Sequence, residues 1–121
     1  MSGSKRDRDR ATEAFRRWAR AGCPGADQIK DVKGEEDLRA CVAVFEELKN
    51  GNGRKNMPRD EILNAVRWVY MSEPEKSLRR NEITLRVRQA AYVLLADERT
   101  VYRWLAAARK MWAEYRYKTR Q

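Results

Sequence analysis

The chain has 121 residues, 42% of them hydrophobic and 37% charged, with a formal net charge of +9 and no histidine. That length suits one domain with a modest core, and the composition is that of a charge-rich globular protein, not a disordered tail. The absence of histidine excludes Ser-His-Asp, Cys-His and His-metal sites, and no apolar run nears the ~20 residues of a membrane span.

Periodicity near 3.6 residues dominates, and no stretch of useful length alternates with period two. An all-α fold of about five helices is therefore expected. The first helix is predicted over residues 8–21, with Ala11, Ala14, Phe15, Trp18 and Ala19 on one stripe. Gly22-Cys23-Pro24-Gly25 stops it, and a polar connector follows to about Lys33. The second is predicted over residues 35–49. Glu35, Glu36 and Asp37 suit its positive N-terminus, and Leu38, Cys41, Val42, Phe45 and Leu48 form its buried stripe. Gly51-Asn52-Gly53 reads as its cap and the start of an exposed, mobile connector to Asn56.

The third helix is expected to open at Pro58 and to run to Met71, burying Ile62, Leu63, Val66, Val69 and Tyr70, with Trp68 off the stripe. Ser72-Glu73-Pro74 breaks it. The fourth is predicted over residues 81–94, with Ile83, Val87, Ala90, Ala91 and Leu94 sharing a face. The fifth starts after Asp97 and reaches Tyr115 or beyond, with Val101, Trp104, Leu105, Ala108, Met111, Trp112 and Tyr115 inside. The expected organisation is a basic disordered N-terminus (1–7), an N-terminal region of about three helices (8–75), and a C-terminal helix-turn-helix DNA-binding region (76–121).

Charge is unevenly placed. Residues 1–20 hold seven Lys/Arg against three Asp/Glu, and residues 99–121 hold seven against Glu114 alone, while residues 21–98 are nearly neutral. Basic ends on a neutral body suit a polyanion, because each cation near a phosphate releases a counterion. Cys23 and Cys41 fall short of the four ligands of a structural zinc, and a disulfide between them does not suit a reducing cytoplasm. No glycine-rich phosphate loop is present, so neither enzyme activity nor a metal or cofactor is expected. The basic start lacks the apolar stretch of a signal peptide, which makes a cytoplasmic location the expectation.

Ala90 to Trp112 reads as two helices joined by a short turn. Ala91 leaves room for a close crossing, Asp97 is a suitable N-cap, and Val101, Trp104 and Leu105 anchor the second helix. Glu98, Arg99, Tyr102, Arg103 and Ala106 then face outward. Arg99 and Arg103 stand one turn apart, where guanidinium groups can each pair with two guanine acceptors, and Tyr102 can meet a phosphate or a thymine methyl. Thr100, Arg109 and Lys110 flank that face, and Arg86 and Arg88 on the preceding helix are placed to hold phosphates. Leu95 stands where such motifs favour glycine, so a tight turn asks positive φ of a leucine.

The string Asp97-Glu98-Arg99-Thr100-Val101-Tyr102-Arg103-Trp104-Leu105, with Ala108-Arg109, resembles the helix-turn-helix of sigma-factor region 4. It is more specifically similar to small phage and prophage late-gene regulators of the ArpU/RinA type. The resemblance covers about residues 83–112 and implies a phage-derived transcriptional regulator with Arg99, Thr100, Tyr102 and Arg103 on DNA. Residues 1–82 match no motif. The expected partner is double-stranded DNA, with RNA polymerase and a homodimer mate as further candidates and no membrane. The alternatives are a small terminase-like packaging protein and a helical protein-binding adaptor, the latter using Trp18, Trp68 and Trp112 as an exposed patch.

Overall fold

Five α-helices make up the architecture in a computed structural model that describes residues 5–30, 34–51 and 57–118, with side chains from Arg10 to Tyr117. Helix α1 (Lys5–Arg20) buries Ala11, Ala14, Phe15 and Trp18, one stripe at helical spacing. It starts earlier than the sequence suggests: residues 5–7, expected as a disordered lead, are helical, and residues 1–4 lie outside the described residues. Gly22 ends it with φ 85°. The Cys23 N–H reaches back to the Trp18 carbonyl at 2.9 Å and that of Gly22 to Ala19 at 3.0 Å, a Schellman closure. A 3-10 turn (Ala26–Gln28) then drives Ile29 into the core.

Helix α2 (Glu35–Asn50) is buried more broadly than its single stripe predicts, since Ala40 and Val44 are covered as well. It lies between α1, α3 and α5, so three neighbours claim its surface. Phe45 meets Trp18 edge-on, with ring centroids 4.8 Å apart, and Phe15 at 6.2 Å. Gly51 closes α2 at φ 75°, a conformation that side chains rarely adopt, and the Arg59 guanidinium lies over it. Residues 52–56 of the expected mobile connector lie outside the described residues.

Helix α3 (Arg59–Val66) begins one residue after Pro58 and continues into a five-residue π-helical turn, Arg67–Met71. The wider turn explains the odd position of Trp68. Val69 and Tyr70 both point inward, while Trp68 is left 39% exposed. The Ser72 hydroxyl donates to the carbonyls of Trp68 (2.8 Å) and Arg67 (3.1 Å), which ties down the end of the π turn.

Three arginines then hold the following loop. Arg16, 2% exposed, donates to the carbonyls of Tyr70, Glu73 and Lys76. Arg20 donates to that of Pro74 at 2.8 Å, and Arg86 to those of Val69 and Ser72 at 2.9 and 2.7 Å. Burial lowers the pKa of Arg16, and the nearby Arg86 and Arg20 add to that effect.

Helices α4 (Arg80–Leu94) and α5 (Glu98–Lys118) complete the chain. The long α5 crosses α1, α2, α3 and α4 and buries Val101, Leu105, Ala108, Met111 and Trp112 completely. Its far end is locked to the start of α2. The Trp112 indole donates to the Asp37 carbonyl at 3.0 Å, and Arg116 meets Asp37 at 2.6 Å and Glu36 at 2.9 Å. One core cluster runs from Ala11 to Trp112 and draws on all five helices. Cys41 lies inside this core and Cys23 at the surface, both as free thiols. Among the described residues no helix is long and apolar enough to cross a membrane.

Candidate nucleic-acid interface

The end of α4 sets the site. Leu95 adopts φ 55° and ψ 46°, and the Ala96 N–H returns to the Ala91 carbonyl at 2.9 Å, so the helix closes with a leucine in the left-handed position that glycine usually fills. The connection is three residues, Leu95 to Asp97. Asp97 then caps α5: its Oδ1 accepts from the Thr100 N–H at 2.7 Å. That bond, with a further contribution from the Thr100 side chain, holds the Asp97 carboxyl below its usual pKa.

The crossing of α4 and α5 is close because small residues face it. Ala90 is fully buried and Ala91 nearly so, opposite Val101, Leu105 and Ala108. Trp104, expected as a central anchor, is only partly buried at the margin of the core.

Opposite the anchored side, Arg99, Tyr102, Arg103, Ala106 and Lys110 are exposed. Four of the eight expected contact residues (Arg99, Tyr102, Arg103 and Lys110) therefore share the outward side of α5. Arg88 is exposed on α4, 3.8 Å from Glu98, a spacing that leaves its guanidinium largely solvated. Thr100 is half-buried, with its N–H bound to Asp97, which gives it a capping role at the start of the helix.

The remaining two belong elsewhere. Arg86 turns inward to the carbonyls of Val69 and Ser72, and Arg109 donates to the Tyr70 hydroxyl. In this arrangement neither presents its guanidinium to a phosphate. Arg116 is likewise buried against Asp37 and Glu36, so the basic excess after Arg99 is smaller at the surface than in the sequence. What remains outside on α5, among the residues whose side chains are described, is Arg99 and Arg103 in its first two turns and Lys110 just past its middle. Sequence reasoning missed Tyr92, Val93 and Leu95 as exposed apolar groups beside this face, though Leu85, Tyr92 and Val93 recur at helical spacing on the side of α4 away from the core.

Among the described residues no group of three Cys, Asp or Glu side chains is placed to hold a metal ion. Comparison with protein-family models, with curated proteins and with solved structures gave no match. The chemistry available at this face is therefore that of guanidinium and ammonium donors with one phenol, on a helix whose other side is fixed.

Proposed function

We propose that the chain is a sequence-specific DNA-binding transcriptional regulator whose α4–turn–α5 unit acts as a helix-turn-helix, with the first half of α5 in the major groove. One observation carries the reading. Arg99 and Arg103 project one helical turn apart from the exposed side of a helix that is capped by Asp97 and anchored by Val101, Leu105 and Ala108. Base readout demands such preorganisation, because a side chain must reach a groove edge from a backbone that does not shift. Tyr102 lies between the two arginines and adds an aromatic contact, and Lys110 lies two turns beyond Arg103, placed for a phosphate. The phage late-gene character of the regulator rests on the resemblance of Asp97–Arg109 to the sigma region 4 motif. RNA polymerase as a partner has the same basis.

The test is selection from a random duplex library, followed by salt titration of the winning sequence. Binding should weaken steeply with salt. Replacing Arg99 and Arg103 with alanine should remove sequence preference, by about 5–150-fold for each bidentate arginine–guanine pair abolished, with the helical circular dichroism unchanged. A double variant that binds the selected duplex as the parent does would show that α5 is not the reading helix.

A further inference from the structure

Helix α4 has two apolar faces. One, with Val87, Ala90 and Ala91, is buried in the core. The other carries Leu85 (52% exposed), Tyr92 (85%) and Val93 (51%), and it is continued by Leu95 (94%) and by Trp68 of the π turn. Trp68, Arg88, Gln89, Tyr92 and Val93 line one shallow depression, which joins the π turn to α4. Together the five residues leave roughly 700 Å² in solvent, polar and backbone atoms included, which is comparable with the ~300–600 Å² of the largest apolar patch on a typical monomer. Leaving Leu95, strained by its positive φ, almost wholly in water serves nothing in the packing of the single chain.

We infer that this face of α4 is the surface by which two copies of the chain pair about a two-fold axis near Gln89. The area supports a second copy as the occupant, since a standard interface buries ~800 Å² per partner and this patch with its polar rim approaches that figure. Spacing supports it too. Leu85 and Val93 lie four residues to either side of Gln89, so two α4 helices crossing antiparallel there set Leu85 of each against Val93 of the partner subunit, the self-complementary arrangement that an isologous contact requires. Tyr92 and Trp68 then close over the ends of the contact. Arg88 lines the same depression one residue from the axis, and Glu98 at 3.8 Å tempers the repulsion between the two copies' guanidinium groups. Quality of packing, more than area, sets the strength of such a pairing. The pairing stands independently of the DNA reading, because it needs no duplex.

Sedimentation of the full chain without nucleic acid, from low micromolar to several hundred micromolar, tests it. The mass should rise from that of one chain toward that of two, and added salt should strengthen or spare the association by screening repulsion, the opposite of its effect on a duplex complex. Tyr92→Glu, at a position too exposed to disturb the fold, should remain monomeric at every concentration. In a Cys23→Ser background, Gln89→Cys should give a disulfide-linked dimer on mild oxidation, whereas Glu46→Cys on the exposed side of α2 should not. A parent that stays monomeric, whether or not the patch then binds duplex or another protein, overturns the proposal. So does a Tyr92→Glu variant that pairs as the parent does, or growth into open oligomers.

Discussion

Asp37 receives two arginines, and they should differ sharply in energetic weight. Arg116 approaches it at 2.6 Å with 7% of its side chain exposed, against 15% for Asp37. Arg10 approaches at 3.2 Å with 45% exposed. Removing one partner of a buried pair costs about 3–5 kcal/mol, but Asp37 is not wholly dry and would keep Arg10, so about 2 kcal/mol is expected for Arg116→Met, which retains the apolar stem. The same change at Arg10 removes an exposed pair worth about 0–1 kcal/mol. Urea unfolding at pH 7 resolves the difference. With a slope of about 1–3 kcal/mol/M, Arg116→Met should lower the midpoint by about 1 M and Arg10→Met by a few tenths at most. A double-mutant cycle with Asp37→Asn should find coupling to Arg116 and almost none to Arg10. Equal losses at Arg116 and Arg10 would refute the argument that burial, more than charge count, decides which pair matters.

Further expectations concern the α4–α5 unit and can be read by thermal or denaturant unfolding at low protein concentration. Leu95→Gly should stabilise the chain by about 0.5–1 kcal/mol, since relief of a left-handed leucine outweighs the extra freedom of glycine in the unfolded state; a loss of stability would mean that Leu95 is held by contacts that its exposure denies. Leu105→Ala should cost about 2–5 kcal/mol and Trp104→Ala clearly less, because the first side chain is fully buried and the second lies at the margin. Asp97→Ala should lower the melting temperature by a few degrees near neutral pH. The folded carboxyl sits below its ordinary 3.8, so its contribution is present above that value and fades as pH falls through the lowered one. The gap between parent and variant should close in acid, and a gap that is constant with pH would argue against the cap.

Helices and their ends were the legible part of this sequence. The apolar stripe of α1, Gly22 and Gly51 as stops, and Asp97 as a start each act through neighbours within a turn or two, which is the range over which a pattern can be read. The destinations of the arginines were not legible. Arg16 finds its acceptors 54 to 60 residues away, and they are backbone carbonyls, which every residue type supplies equally. Arg86 and Arg109 look locally like any other basic residue on a helix facing DNA, and only the packed loop and Tyr70 reveal where they go. Trp104 falls on the apolar stripe of α5, and periodicity alone cannot tell the margin of such a stripe from its centre. The π turn escaped for a similar reason. One inserted residue shifts the phase of the pattern by a single position, and Trp68 was its only trace.

The tie between Asp37 and the last turns of α5 has a consequence for how the chain matures. During synthesis the apolar side of α2 emerges more than sixty residues before Trp112 and Arg116, the groups that cover its first turn. Until those last residues leave the ribosome, Cys41 and the first turn of α2 lack the cover of Trp112, and a nascent chain halted near Leu94 leaves them open to whatever is nearby. The same tie makes the C-terminal segment a poor cassette. Grafted alone onto another scaffold, residues 76–121 would carry Arg99 and Arg103 but bring along a bare face formed by Leu105, Met111 and Trp112. Any chimera that borrows the α4–α5 unit must therefore take the chain from α1 onward.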